Sequence, residues 1–183
     1  MYFKFAIQFI AACALSMGAT ASFSHITLQD SAAAAGAGYR AVLRVGHGCE
    51  GSPTTGITVT IPAGFNGAQP LMKPGWNATI RSGALAVPYE MHGTKFTEGV
   101  LEISWTAKTA ADALPDAFYD EFVLRGTTPK TPGPLWFKVV QTCEKGSTAW
   151  VEIPAPGANA HHLKAPAALL EVLGVQAAGE HAH

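Results

Sequence analysis

The stretch Val100-Leu101-Glu102-Ile103-Ser104-Trp105-Thr106 decides the fold. Leu101, Ile103 and Trp105 fall on one side of an extended chain, while Glu102 and Ser104 fall on the other. A period of two is the signature of a half-buried strand, because successive side chains point to opposite faces. The same pattern recurs at 40–45, 56–61, 121–125, 135–142 and 149–153, with glycine, proline and asparagine between the runs. Proline in Ile61-Pro62-Ala63, Lys73-Pro74-Gly75 and Thr131-Pro132-Gly133-Pro134 marks turns or strand ends, since it donates no hydrogen bond to a ladder. Short strands at such spacing predict an all-β chain folded as a β-sandwich. A helix is expected only at 165–178, which is apolar and rich in alanine. The end, 177–183, is short and polar and is expected to be disordered.

The start of the chain has the layout of an export signal. Lys4 supplies the positive charge, residues 5–17 are an apolar run, and 18–24 are mostly small, ending Ser22-Phe23-Ser24. Small residues three and one before the bond place cleavage between Ser24 and His25. Cleavage after Ala21 is the rival cut, and Ile10-Ala11-Ala12-Cys13 loosely resembles a lipoprotein box. The apolar run falls short of the roughly 20 residues a membrane helix needs. The expected organisation is a signal over 1–24, a binding domain over 25–158 and a partly disordered tail over 159–183. The destination is periplasmic or secreted.

Removing 24 of 183 residues leaves 159, enough for a single domain with a real core. Lys4 is the only charge lost, so 11 basic residues face 13 acidic ones, a formal charge of −2. That balance offers nothing to nucleic acid or to an anionic membrane surface. Cys49 and Cys143 remain, and in an oxidising compartment an even pair is expected to form a disulfide. Closing a loop of 94 residues is worth about 4 to 5 kcal/mol in the chain-entropy picture. The competing use, a dithiol copper(I) site, needs reduced thiols.

A mature chain that begins with His25 carries a chemistry no internal histidine has. Its free α-amine and its ring Nδ1 can close a six-membered chelate on one ion. Nitrogen donors in tetragonal arrangement suit copper(II), the tightest-binding divalent metal of the first row. The amine titrates near ~8, so copper must displace a proton and affinity should rise with pH. On position alone, His25 could equally be an early residue of the first strand. Glu50 follows Cys49 in the glycine-rich loop Gly46-His47-Gly48-Cys49-Glu50-Gly51-Ser52-Pro53, and Trp150 opens the expected strand beyond Cys143 and the turn Glu144-Lys145-Gly146-Ser147. The expected disulfide would restrain these two near each other. Taken singly, Glu50 is a solvated loop carboxylate and Trp150 a packing residue.

Several stretches together resemble the YcnI-like family of exported copper-binding proteins. They are His25-Ile26-Thr27-Leu28, the loop from Gly46 to Thr55, Lys73-Pro74-Gly75-Trp76, His92-Gly93, Leu114-Pro115-Asp116 with Tyr119-Asp120-Glu121-Phe122, Gln141-Thr142-Cys143-Glu144, and Ala149-Trp150. The resemblance implies a sandwich related to immunoglobulin or cupredoxin-like folds and a copper(II) site called a monohistidine brace. By position, the brace would use the amine and ring of His25, the carboxylate of Glu50, and Trp150 close to the metal. The indole would act as a lid whose face stabilises the cation by roughly 0.5 to 2 kcal/mol. Copper storage or trafficking without catalysis follows from that set, with a periplasmic copper chaperone or a membrane copper transporter as partner. Many relatives end in a membrane-anchoring helix; here nothing after residue 178 is long and apolar, so no anchor is expected.

Two other classes compete. A copper oxygenase similar to polysaccharide monooxygenases would need a second histidine as ligand, for which His47 and His92, each preceding glycine, are the candidates. An adhesive or scaffolding sandwich would use no metal. His161, His162, His181 and His183 are read as solvated tail residues, and Tyr119 as a packed corner residue whose hydroxyl caps backbone.

Overall fold

The computed structural model describes residues 25–158, 160 and 162–174. The expected export signal over 1–24, residues 159 and 161 and the last nine positions lie outside the described residues. Two sheets pack face to face. One has four strands in the order β1 (Thr27–Leu28), β3 (Gly38–Val45), β8 (Asp120–Thr127) and β5 (Asn66–Pro70). The other runs β2 (Ala32–Ala34), β11 (Ala168–Leu173), β9 (Gly133–Cys143), β4 (Thr54–Thr60), β7 (Thr94–Ala107) and β6 (Trp76–Met91), with β10 (Ser147–Trp150) pairing β9 as the seventh.

Alternation sets which residues meet between the sheets. Ile103 and Trp105 of β7 are fully buried, as are Phe122 and Leu124 of β8 and Phe137 and Val139 of β9. Trp105 packs edge-on against Phe122, which packs against Trp76 in turn. Each such large apolar side chain contributes about 1.5–3 kcal/mol relative to leaving it in water. The expected sandwich is therefore observed, and each expected strand falls within or overlaps a real one. Trp150, however, closes β10 instead of opening a strand.

The helix expected at 165–178 is not formed where the structure describes it. Ala168, Leu170 and Val172 are buried while Glu171 and Leu173 are exposed, a period of two. Alanine-rich composition favours helix, but β9 has an open edge beside Gly133–Phe137, and β11 pairs there with apolar side chains facing the core. Tertiary pairing overrides a weak local preference. The sandwich thus extends past residue 158, where a boundary was expected, to Leu173. The β6–β7 hairpin also extends through residues 76–99, before the expected strand at 100–106. It is long and largely exposed on both faces, so no alternation marks it in the sequence.

Candidate metal centre

One end of the sandwich gathers the residues of interest. β1 runs antiparallel to β3, pairing Thr27 with Arg44 and Leu28 with Leu43. Followed back along the chain, this register brings His25 across from Gly46, where β3 gives way to the loop 46–53. His25, Thr27, Arg44, Gly46 and Tyr119 line a cleft of about 330 Å³. Arg44 Nη2 donates to Thr27 Oγ1 at 3.1 Å, which holds the guanidinium along β1. Tyr119 does not cap backbone as expected. Its ring is half exposed, and its hydroxyl donates to Glu121 Oε1 at 2.5 Å. Desolvation, with this hydrogen bond, raises its pKa to about 12, so the cleft keeps a neutral phenol at any physiological pH.

The loop 46–53 is pinned from three sides. The disulfide between Cys49 and Cys143 forms as expected, with Cα atoms 6.0 Å apart. Gly48 N–H donates to Asp116 Oδ1 at 2.9 Å, and Lys145 N–H to Ser52 Oγ at 2.9 Å. Gln141, an inward residue of β9, is fully buried and completely partnered. Its Nε2 donates to the His47 carbonyl at 2.7 Å and to Thr54 Oγ1 at 2.8 Å, while its Oε1 accepts from Trp150 Nε1 at 3.0 Å. One amide therefore ties the loop to the indole. Gln141 belongs to one of the stretches of family resemblance but has no site role assigned there, although a glutamine at an inward position of a strand is itself a signal, because a buried amide demands partners.

Trp150 is almost completely buried, and its ring centroid lies 5.7 Å from that of His25. Its indole N–H is committed to Gln141. It stands as a wall of the core beside His25. The His47 ring lies on the same indole, 6.4 Å away and edge-on. His47 Nδ1 lies 2.5 Å from the Gly48 carbonyl oxygen, an acceptor, so Nδ1 donates and, in the neutral ring, the lone pair falls on Nε2. That Nε2 is buried and has no hydrogen-bond partner among the described residues. Leaving a buried polar atom unpaired costs about 1–3 kcal/mol, so it calls for a function or a ligand.

Glu50 sits elsewhere on the loop. Cys49 and Ser52 exchange backbone hydrogen bonds of 3.1 and 2.9 Å around Glu50 and Gly51, whose φ angles of 50° and 83° make a tight two-residue hairpin turn. Its side chain is exposed. Among the described residues no ion pair joins Glu50 to His25, and no three His, Cys, Asp or Glu side chains are gathered closely enough to hold a metal. The structure brings His25 to Trp150, and His47 to the same indole, while Glu50 stands exposed on the neighbouring turn with no ion pair among the described residues. His92 lies in the exposed β6–β7 turn at φ 50°, outside the cleft. Of the tail histidines, His162 is exposed and the other three lie outside the described residues.

Tested against a copper ion, the imidazole of His25 and the orphaned Nε2 of His47 are donors of the right chemistry, and the buried indole excludes water beside them. The profile of a domain of unknown function, DUF1775, matches residues 25–172, starting at His25 and ending within β11. The chain belongs to the DUF1775 family. Its resemblance to YcnI-like proteins holds at the level of this domain. No curated protein matches the chain. Among solved structures, this DUF1775 protein is similar to an uncharacterised protein from Nocardia farcinica whose structure is described as revealing an immunoglobulin-like fold. The two are 25% identical with a TM-score of 0.62, over 81% of this chain and 97% of that one. A putative membrane anchored protein from Corynebacterium diphtheriae matches at 11% identity over 84% of this chain and 35% of its own, with a TM-score of 0.39, too slight to carry an argument. No helix among the described residues is long and apolar enough to cross a membrane.

Proposed function

We propose that this DUF1775 protein is an exported copper(II)-binding protein that stores or passes copper in the periplasm, without catalysing a reaction. The observation that carries the reading is the position of His25. The residue predicted to head the mature chain packs 5.7 Å from a buried tryptophan and lines an open cleft. An amine and an imidazole at that point can chelate an ion reached from solvent. Glu50 would supply an anionic oxygen to offset the copper charge, and the Trp150 ring would shield one side. The cargo would be received from, or delivered to, a periplasmic copper chaperone or a membrane copper transporter. The disulfide between Cys49 and Cys143 agrees with an oxidising compartment and removes both thiols from copper(I) chemistry.

Titration calorimetry of the secreted protein with copper(II) tests this. The wild type should bind one ion tightly and His25→Ala should lose tight binding; equal affinity in the two proteins would reject the site.

A further inference from the structure

We infer that His47 is a second imidazole ligand of the copper site, donating through Nε2. The inference rests on the copper reading above and goes beyond the single-histidine brace implied by resemblance.

Three observations converge on it. The first is the orphaned atom: Nε2 of His47 is buried and has no partner among the described residues. Its tautomer is fixed from the other side, because Nδ1–H is spent on the Gly48 carbonyl. A ring nitrogen bonded to backbone with the opposite nitrogen free is the arrangement usual for histidines that ligate metals. The second is placement. Both imidazoles pack on the one indole of Trp150, their ring centroids 5.7 and 6.4 Å from it. The third is rigidity. Gln141 grips the His47 carbonyl and the Trp150 N–H together, and the disulfide follows two residues later. A histidine serving only to fill space would not need its free nitrogen enclosed and its backbone so firmly tied. His92 and His162 are exposed, where water can satisfy their ring nitrogens.

The consequence is a nitrogen-rich set, the α-amine and Nδ1 of His25 with Nε2 of His47, which also meets the second-histidine requirement of the copper-oxygenase reading. Glu50, at the exposed turn, then provides charge compensation more than geometry.

Pulsed electron spin resonance on the mature protein loaded with copper(II) counts equatorial imidazoles, because two of them generate combination lines in the remote-nitrogen modulation that one does not. The wild type should show two. His47→Gln should show one and bind copper at least about tenfold more weakly, the lower range of what losing even an outer partner costs a metal site. A single-imidazole spectrum from the wild type, or a spectrum and affinity unchanged in His47→Gln, would overturn the assignment while leaving copper binding at His25 in place. The wild-type count decides the matter even if the variant fails to fold. If the wild type takes up no copper(II), both readings fall together.

Discussion

Glu50 occupies a backbone position that suits it poorly. With φ of 50°, it stands in the left-handed region at the first central position of a two-residue turn, where asparagine, aspartate or glycine is preferred. A residue with a Cβ pays about 1–2 kcal/mol there, and asparagine less because its short amide bonds locally. His92 shares the conformation, but histidine is among the types enriched in it and glutamate is not. The substitution Glu50→Asn should therefore relieve strain in the metal-free protein by up to about 1 kcal/mol, raising its melting temperature by roughly 2–4 °C for a chain of this size. Copper should respond in the opposite sense. If the carboxylate is a ligand, its loss weakens binding by about tenfold or more, or at least about 1.4 kcal/mol. The rise in melting temperature on adding copper(II) should then shrink by roughly 3–5 °C. Circular dichroism melts with and without the metal separate the two effects. A metal-free variant no more stable than wild type would refute the strain, and an undiminished copper-induced shift would refute Glu50 as a ligand.

Two other perturbations probe the surroundings of the site. A Cβ at Gly48 would stand 1.9 Å from the Ser52 carbonyl oxygen, so Gly48→Ala should cost about 2 kcal/mol and lower the melting temperature by roughly 4–8 °C; an unchanged melt would show that the loop is not held as described. Copper(II) should quench the emission of Trp150 through its paramagnetism, and the quenchable fraction should disappear in a Trp150→Phe variant; if instead the same fraction persists, the metal lies nearer Trp76, Trp105 or Trp136.

The sandwich was legible because its central strands bury one face and so alternate, as residues 100–106 do. The pairing of Cys49 with Cys143 was legible from compartment and parity. What stayed hidden depends on tertiary context. β11 reads as a helix until the open edge of β9 is known, and the outer half of the β6–β7 hairpin, exposed on both faces, has no pattern to read. For the site, His25 and Trp150 are brought together as expected, since the start of β1 and the end of β10 meet at one end of the sandwich. Glu50 stands exposed on the turn that follows the restrained Cys49, a local geometry that spacing alone does not reveal. Gln141 and the Nε2 of His47 emerge only once burial and partners are known. Tyr119 was misplaced for the opposite reason: its surroundings are polar and open, and Glu121 supplies the acceptor that backbone was expected to provide.

Copper coordination at a freed His25 is tested most directly by comparing two forms of the protein whose first residues are verified by intact mass, one beginning at His25 and one at Ser22. Titrated with copper(II) and read by spin resonance, the first should bind tightly with an amine and imidazole in the equatorial plane, and the second should lose the amine and most of the affinity. Equal affinity and identical spectra from the two forms would contradict the chelate.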